Sequence, residues 1–134
     1  MMYLVDSNVW LELLLDQENS TEVTNFLSNI DSSLLAISEF SLYSIGIILT
    51  GLKKDEKFKD FIADNFEYSD VSCIRLNFSD LKDLLSIKEQ WQLDFDDAYQ
   101  YTAAEKFDLT IVSFDKDFDK TDRGRILPNK VVNP

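Results

Sequence analysis

Short apolar runs that alternate with helix-length segments are the feature that most restricts the fold of this chain. Four such runs occur, MYLV, SLLAI, VSCI and LTIV, and segments with apolar residues at helical spacing separate them. Parallel strands joined through helices form right-handed crossovers, which place helices on both faces of the sheet. We therefore predict a single three-layer α/β/α domain over residues 1–134, with a central parallel sheet of four or five strands.

Two details of this prediction concern the margins of the sheet. The stretch NKVVNP, residues 129–134, predicts a short edge strand, which would be the fifth. Cys73 is the only cysteine and lies in an apolar run, so it is predicted to be a small core residue without an internal disulfide. The apolar runs are too short to span a bilayer and the N-terminus lacks a basic start, so a cytoplasmic protein that does not enter a membrane is expected.

Charge composition narrows the chemistry that the chain can perform. There are 13 basic and 25 acidic residues, and the net charge of −12 argues against a general nucleic-acid binder because it repels a polyanion. Histidine is absent, which excludes imidazole-held zinc and acid–base catalysis by histidine. Carboxylates remain, together with the hard divalent cations that bind oxygen ligands.

Acidic residues stand near the points where predicted strands end. Asp6 ends the first strand, Glu39 follows the second, Asp115 comes shortly after the fourth, and Asp96 or Asp97 opens the helix before the fourth. Ligand sites of parallel α/β sheets lie beyond the carboxyl ends of the strands, so these side chains should share one edge. Clustered carboxylates raise one another's pKa unless a cation neutralises them. The sequence therefore predicts a Mg²⁺ or Mn²⁺ site, which can support in-line displacement at phosphorus.

A purely structural interpretation of the acidic residues stays open at this point. Aspartate is favoured at helix N-caps, in first helical turns and in the turns that follow strands. We assign Asp94, Asp117 and Asp119 to this structural class, as cap or surface residues.

Three stretches of the chain, in order, resemble a PIN domain, the nuclease fold of the toxins of VapC-type toxin–antitoxin pairs. YLVDSNVWLELL is similar to the family's opening strand, Asp-x-Asn and helix. LLAISEFSLYSIGIIL is similar to its second strand and helix. DFDDAYQYTAAEKFDLTIVSFDKDF is similar to its Asp-Ala helix, which is followed by a strand and Ser/Thr-x-Asp-x-x-Phe. The resemblance covers nearly the whole chain.

The resemblance implies a metal-dependent endoribonuclease with Mg²⁺ or Mn²⁺ as the cofactor. Asp6, Asp97 and Asp115 would be its metal-binding and catalytic carboxylates, and Asp97 is preferred to Asp96 because it precedes an alanine, as in the family motif. Asn8 would position Asp6 or a substrate phosphate.

One position departs from the family pattern. PIN domains commonly place a glutamate in the region after the second strand, close to where this chain has Ser44. The acid nearest to that position is Glu39, at the junction of strand and helix. We predict that Glu39 serves as the fourth catalytic carboxylate from the N-terminus of the helix.

The resemblance also concerns partners. The stretch from Lys116 to Lys130 carries a local net positive charge, so Arg123 and Arg125 are predicted to contact an RNA phosphate. PIN toxins imply a homodimer and a small antitoxin protein as partners. The apolar side chains that would form such an interface, unless they are core, are Trp10, Leu14, Phe40, Tyr43 and Ile47.

Two other functions stay open. The stretch YLVDSN also fits a strand with a nucleophilic aspartate, as in phosphoryl-transfer domains of the haloacid dehalogenase or receiver type. That pattern requires an acid at Asn8 or a lysine nearer to the last strand than Lys116. The other alternative is a catalytically degenerate PIN domain that acts only as a protein-binding module, and the displaced glutamate favours it.

Overall fold

The four predicted strands form one parallel sheet. A computed structural model describes residues 1–132 and orders the strands β3-β2-β1-β4. The strands are β1 (Tyr3–Val5), β2 (Leu35–Ser38), β3 (Ser72–Ile74) and β4 (Thr110–Val112). β1 is a central strand and pairs in parallel with both β2 and β4. The predicted α/β class with a parallel sheet is confirmed.

Within residues 1–132, six α-helices connect the strands and flank the sheet. They are α1 (Ser7–Leu14), α2 (Ser20–Ser28), α3 (Glu39–Gly51), α4 (Asp55–Ile62), α5 (Phe78–Trp91) and α6 (Phe95–Phe107). A π-helical turn at Ala63–Glu67 extends α4, and short 3₁₀ turns lie at Ser32–Leu34, Lys116–Lys120 and Pro128–Lys130. No helix within residues 1–132 has the length and apolar character needed to cross a bilayer.

Side chains that alternate along the strands separate the core into two layers. In β1, Leu4 packs in a cluster with α5 and α6, whereas Tyr3 and Val5 pack in a second cluster with α1 to α4. This alternation follows from the two-residue period of a strand, which sends successive side chains to opposite faces. Both faces of the sheet are therefore covered, and the predicted three-layer arrangement is confirmed.

Two predictions about the margins of the sheet are wrong. Cys73 is exposed because β3 is an edge strand and its middle side chain points away from the core. The part of the predicted edge strand within residues 129–132 is not a strand, since Pro128 begins a 3₁₀ turn over Pro128–Lys130. The remainder, residues 133–134, lies outside the described residues. A single parallel bridge from Val112 to Ile126 extends the sheet beside β4 instead.

Candidate functional site

The carboxyl ends of β1 and β4 bring the first two parts of the site together. The two strands are in register, with Val5 opposite Val112, so the residues that follow them emerge side by side. Asp6 follows β1 and Ser113 follows β4, and the Asp6 N–H donates to the carbonyl oxygen of Val112 at 3.0 Å. The residues that follow β1 and β4 therefore meet at the carboxyl edge of the sheet.

Asp6 is held in one orientation by hydrogen bonds to both of its carboxylate oxygens. It is the N-cap of α1 and only 7% exposed. Its Oδ1 accepts from the Ser7 N–H at 2.8 Å and from Gln100 Nε2 at 2.9 Å. Its Oδ2 accepts from Ser113 Oγ at 2.7 Å and from Asn8 Nδ2 at 3.3 Å. Burial raises the pKa of Asp6 above its usual value, although the bonds from Gln100, Ser113 and Ser7 oppose that rise.

Asn8 and Ser113 lock the start of α1 to the loop after β4. Asn8 Nδ2 also donates to Ser113 Oγ at 3.1 Å, and Asn8 Oδ1 accepts from the Phe114 N–H at 3.1 Å. Ser113 Oγ in turn accepts from the Asp115 N–H at 2.9 Å. The Asp-x-Asn segment and the segment after β4 are therefore one hydrogen-bonded unit, and this unit fixes where Asp115 stands.

A second group of carboxylates lies beside this unit. Asp97, in the first turn of α6, offers a carboxylate oxygen within 4.8 Å of oxygens from Asp115 and Asp117. Asp97 is 7% exposed, and its pKa is raised from 3.8 to about 8. Burial is the main cause, followed by the charge of Asp115 and a hydrogen bond with it, and then by the charges of Asp6 and Asp96. A cation between these groups would remove the repulsion, so their donor set fits a hard divalent ion.

Asp6, Asp97 and Asp115 line one cavity of about 340 Å³. Asn8, Ser44, Asp96 and Gln100 also contribute to its wall. The cavity is therefore formed by the strand ends together with α1, α3 and α6.

Glu39 lies elsewhere. It is not among the residues that line this cavity, and its charge acts instead on Cys73 of the edge strand, whose pKa is raised by burial and then by the charge of Glu39. Ser44, five residues further along α3, does line the cavity. Side chains five residues apart in an α-helix point in directions that differ by about 140°, so Glu39 and Ser44 lie on different faces of α3. The geometry therefore gives no support to the prediction that Glu39 acts as a catalytic carboxylate.

Both arginines predicted to bind substrate already have partners within the chain. Arg123 Nη2 donates to Asp108 Oδ1 at 3.3 Å, and its Nη1 donates to the Leu109 carbonyl at 3.2 Å. Arg125 forms a two-pronged pair with Asp119, at 3.0 and 3.1 Å, and donates to the Ser113 carbonyl at 3.2 Å. Arg125 thus braces the loop that carries Ser113. Neither arginine lines the cavity.

Two residues of the site do not emerge from the sequence. Asp117 is exposed, as predicted, and does not line the cavity, yet one of its carboxylate oxygens lies within 4.8 Å of oxygens of Asp97 and Asp115 because of the 3₁₀ turn at Lys116–Lys120. Gln100 belongs to no motif, although it hydrogen-bonds Asp6. No sequence signal marks Gln100, because its place among eight consecutive buried positions of α6, Asp97 to Ala104, is visible only in the structure.

A parallel α/β domain with clustered carboxylates at the carboxyl edge of its sheet is the class that the fold and the site define. The family model of the PIN domain matches residues 3–124. The chain therefore belongs to the PIN domain family. Among curated protein sequences, none matches the chain significantly.

Solved structures share the fold at low sequence identity. VapC20 of Mycobacterium tuberculosis, described as a sarcin-ricin loop cleaving toxin, superposes with a TM-score of 0.77 at 14% identity, over 94% of this chain and 99% of that one. FitAcB of Neisseria gonorrhoeae gives 0.76 at 20% identity, over 97% and 100%. A toxin–antitoxin complex of Klebsiella pneumoniae gives 0.74 at 16%, over 96% and 99%. These similarities establish the fold.

Proposed function

We propose that this chain is a metal-dependent endoribonuclease that hydrolyses RNA phosphodiester bonds, and that it is the toxin component of a VapC-type pair. The observation that carries this proposal is the convergence of Asp6, Asp97 and Asp115 on one cavity. The pKa of Asp97, raised to about 8, reflects how strongly burial and these neighbouring charges oppose its ionisation when no cation is bound. The family assignment adds that PIN domains are generally nucleases.

Each residue of the site has a part in this proposal. Asp97, Asp115 and Asp117 offer the carboxylate oxygens that would hold Mg²⁺ or Mn²⁺, with Asp6 as a further ligand on the β1 side. When bound, such a cation supplies activation of water and stabilisation of the leaving oxygen at phosphorus. Asn8 and Ser113 keep Asp6 turned toward the cavity through their hydrogen bonds. Asp96, which lines the cavity from the same turn of α6, adds negative charge around the ion.

Incubation of the purified protein with a mixed RNA pool tests the proposed activity. We expect RNA fragments in Mg²⁺ and in Mn²⁺ and none in chelator. Without a bound cation, the carboxylates of the site repel the phosphate of the substrate. A parallel incubation with single-stranded DNA measures the preference for RNA. Intact RNA under every metal condition, from protein that binds Mn²⁺, would contradict the nuclease proposal and favour the degenerate PIN domain as a protein-binding module.

The position where the family commonly has a glutamate gives a further prediction. Ser44→Glu places a carboxylate at a position that lines the cavity, so it should bind Mn²⁺ more tightly, by about tenfold, and cleave RNA at least as fast as the native protein. Calorimetric titration with Mn²⁺ measures the change. Glu39→Gln is the matched comparison and should leave Mn²⁺ affinity unchanged, because Glu39 does not line the cavity. A folded Ser44→Glu variant with weakened Mn²⁺ binding would contradict this placement.

An exposed apolar face of α3 supports the proposed protein partners. Tyr43 is 59% exposed and Ile47 is 72% exposed, and the two residues lie one turn apart on α3. Trp10, by contrast, is 1% exposed and belongs to the core. We propose that this face of α3 forms part of a homodimer interface and also contacts an antitoxin, as the toxin–antitoxin complexes among the structural neighbours suggest. A small protein from an adjacent reading frame that co-purifies with this chain would support the pairing.

The remaining predictions are retained as parts of the same proposal. We take the whole chain, residues 1–134, as one PIN domain, since the family model already spans residues 3–124. The proposed location of the protein is the cytoplasm. Contact of Arg123 and Arg125 with an RNA phosphate would require each to release its aspartate partner, Asp108 or Asp119.

A further inference from the structure

Gln100 is a buried amide that touches the candidate site but belongs to none of the motifs. It lies on α6 one turn beyond Asp97 and is 2% exposed. Its Nε2 donates to Asp6 Oδ1 at 2.9 Å and to Ser41 Oγ at 2.6 Å. Ser7 Oγ donates to the same Ser41 oxygen at 2.7 Å. One amide group therefore links α6 to the starts of α1 and α3 at the floor of the cavity.

The orientation of this amide follows from its partners. A carboxylate oxygen only accepts hydrogen bonds, so the NH₂ group of Gln100 must face Asp6. The reversed amide would set Oε1 against the Asp6 carboxylate and lose the bond to it. The other end of the group, Oε1, is consequently the end directed away from Asp6.

Gln100 Oε1 has no hydrogen-bond partner among residues 1–132, although it is buried. Folded proteins rarely leave a buried acceptor unpaired, and such an atom costs stability, so packing alone does not favour a glutamine at this position. Gln100 lines the cavity together with Asp97 and Ser44.

We propose that Gln100 is a positioning residue of the cation site, because its Nε2 donates to Asp6 Oδ1 and thereby fixes the orientation of the Asp6 carboxylate. The inference rests on the metal site of the proposed function and adds to it a residue that the motifs do not contain. Residues that orient the ligands of a metal, here called outer-layer residues, typically change metal affinity by about 10- to 100-fold.

Mn²⁺ titration of two variants tests the proposal. Gln100→Met keeps the length and fills the space but removes both polar atoms, and we expect its Kd for Mn²⁺ to rise by about tenfold or more. Gln100→Leu also removes the Nε2 donor and keeps an apolar side chain of similar volume, so its Kd for Mn²⁺ should rise by a similar factor. Thr102→Val is the control, because Thr102 is another buried polar residue of α6 whose hydroxyl bonds to the Ala98 carbonyl and not to the site. Its affinity for Mn²⁺ should equal that of the native protein.

A role for Gln100 in packing alone predicts that both folded variants keep the native affinity for Mn²⁺, since each fills the space of the side chain. A folded Gln100→Met variant with less than about a fivefold loss overturns the proposal, because outer-layer residues typically change metal affinity by more than that. If circular dichroism shows that Gln100→Met does not fold, Gln100→Leu decides the matter, and native affinity in that variant overturns the proposal. Absence of Mn²⁺ binding by the native protein also overturns it. Native protein that binds Mn²⁺ without cleaving RNA contradicts the proposed nuclease only.

Discussion

Asp97→Asn is expected to abolish cleavage of RNA, by a factor on the order of 10³ or more, while the protein stays folded. The substitution keeps the shape of the side chain but removes the charge at the position where three carboxylates approach one another within 4.8 Å. In the metal-free protein asparagine needs no proton to be neutral at this buried position, so the melting temperature should stay equal or rise. Fluorescence of a labelled RNA measures cleavage, and thermal unfolding in chelator measures stability.

Asp94→Asn is the matched control for this variant. Asp94 is the exposed N-cap of the same helix and makes no side-chain cap hydrogen bond, and asparagine caps helices as well as aspartate does. The Asp94→Asn substitution makes the same change in net charge, three residues from Asp97. We expect this variant to cleave RNA at the native rate. An Asp97→Asn variant that cleaves RNA at the native rate would show that the site is assigned wrongly.

The metal-free protein is expected to lose stability as the pH rises from about 5.5 to about 8.5. The pKa of Asp97 is about 8 in the folded protein, against 3.8 for an unperturbed aspartate, so the folded state binds more protons between these values. Stability falls with pH wherever the folded state holds the extra proton, and the loss is complete once the pH passes the folded pKa. The expected loss is at most about 3 kcal/mol across this window, or about 10 °C in melting temperature.

Two comparisons isolate Asp97 as the cause. Asp97→Asn cannot titrate at this position, so its melting temperature in chelator should change far less over the same window. Saturating Mn²⁺ should oppose the loss in the native protein, because a ligand at about 100 times its Kd adds about 2.7 kcal/mol of stability. A melting temperature in chelator that stays constant or increases across this pH range would contradict the prediction. It would show that Asp97 is already ionised in the folded protein at about pH 5.5.

The main features of the fold could be predicted because they depend on local patterns. The strands are short apolar runs, the helices between them show helical spacing, and the handedness of crossovers leaves few arrangements. The placement of Asp6 and Asp97 at one edge follows from the same argument. The edge position of β3 does not, because strand order depends on contacts between distant segments, and the prediction of a core position for Cys73 therefore fails.

Details of the site depend on geometry that the sequence carries only weakly. Glu39 and Ser44 are close in sequence, yet the helical rotation separates their directions. Asp117 reaches the cluster only because a 3₁₀ turn follows Asp115. Gln100 contacts Asp6 from a distance of 94 residues along the chain, and a single glutamine within a buried helix gives no indication of that partner.

The most direct test of the account is a crystal structure of the native protein soaked in Mn²⁺, with data collected at a wavelength at which manganese scatters anomalously. We predict an anomalous peak inside the cavity, bonded to carboxylate oxygens of Asp97 and Asp115, with Asp6 facing it and Gln100 Nε2 still bonded to Asp6 Oδ1. A cavity without an anomalous peak at saturating Mn²⁺, with these four side chains still lining it, would contradict the central claim that the carboxylates hold a divalent cation.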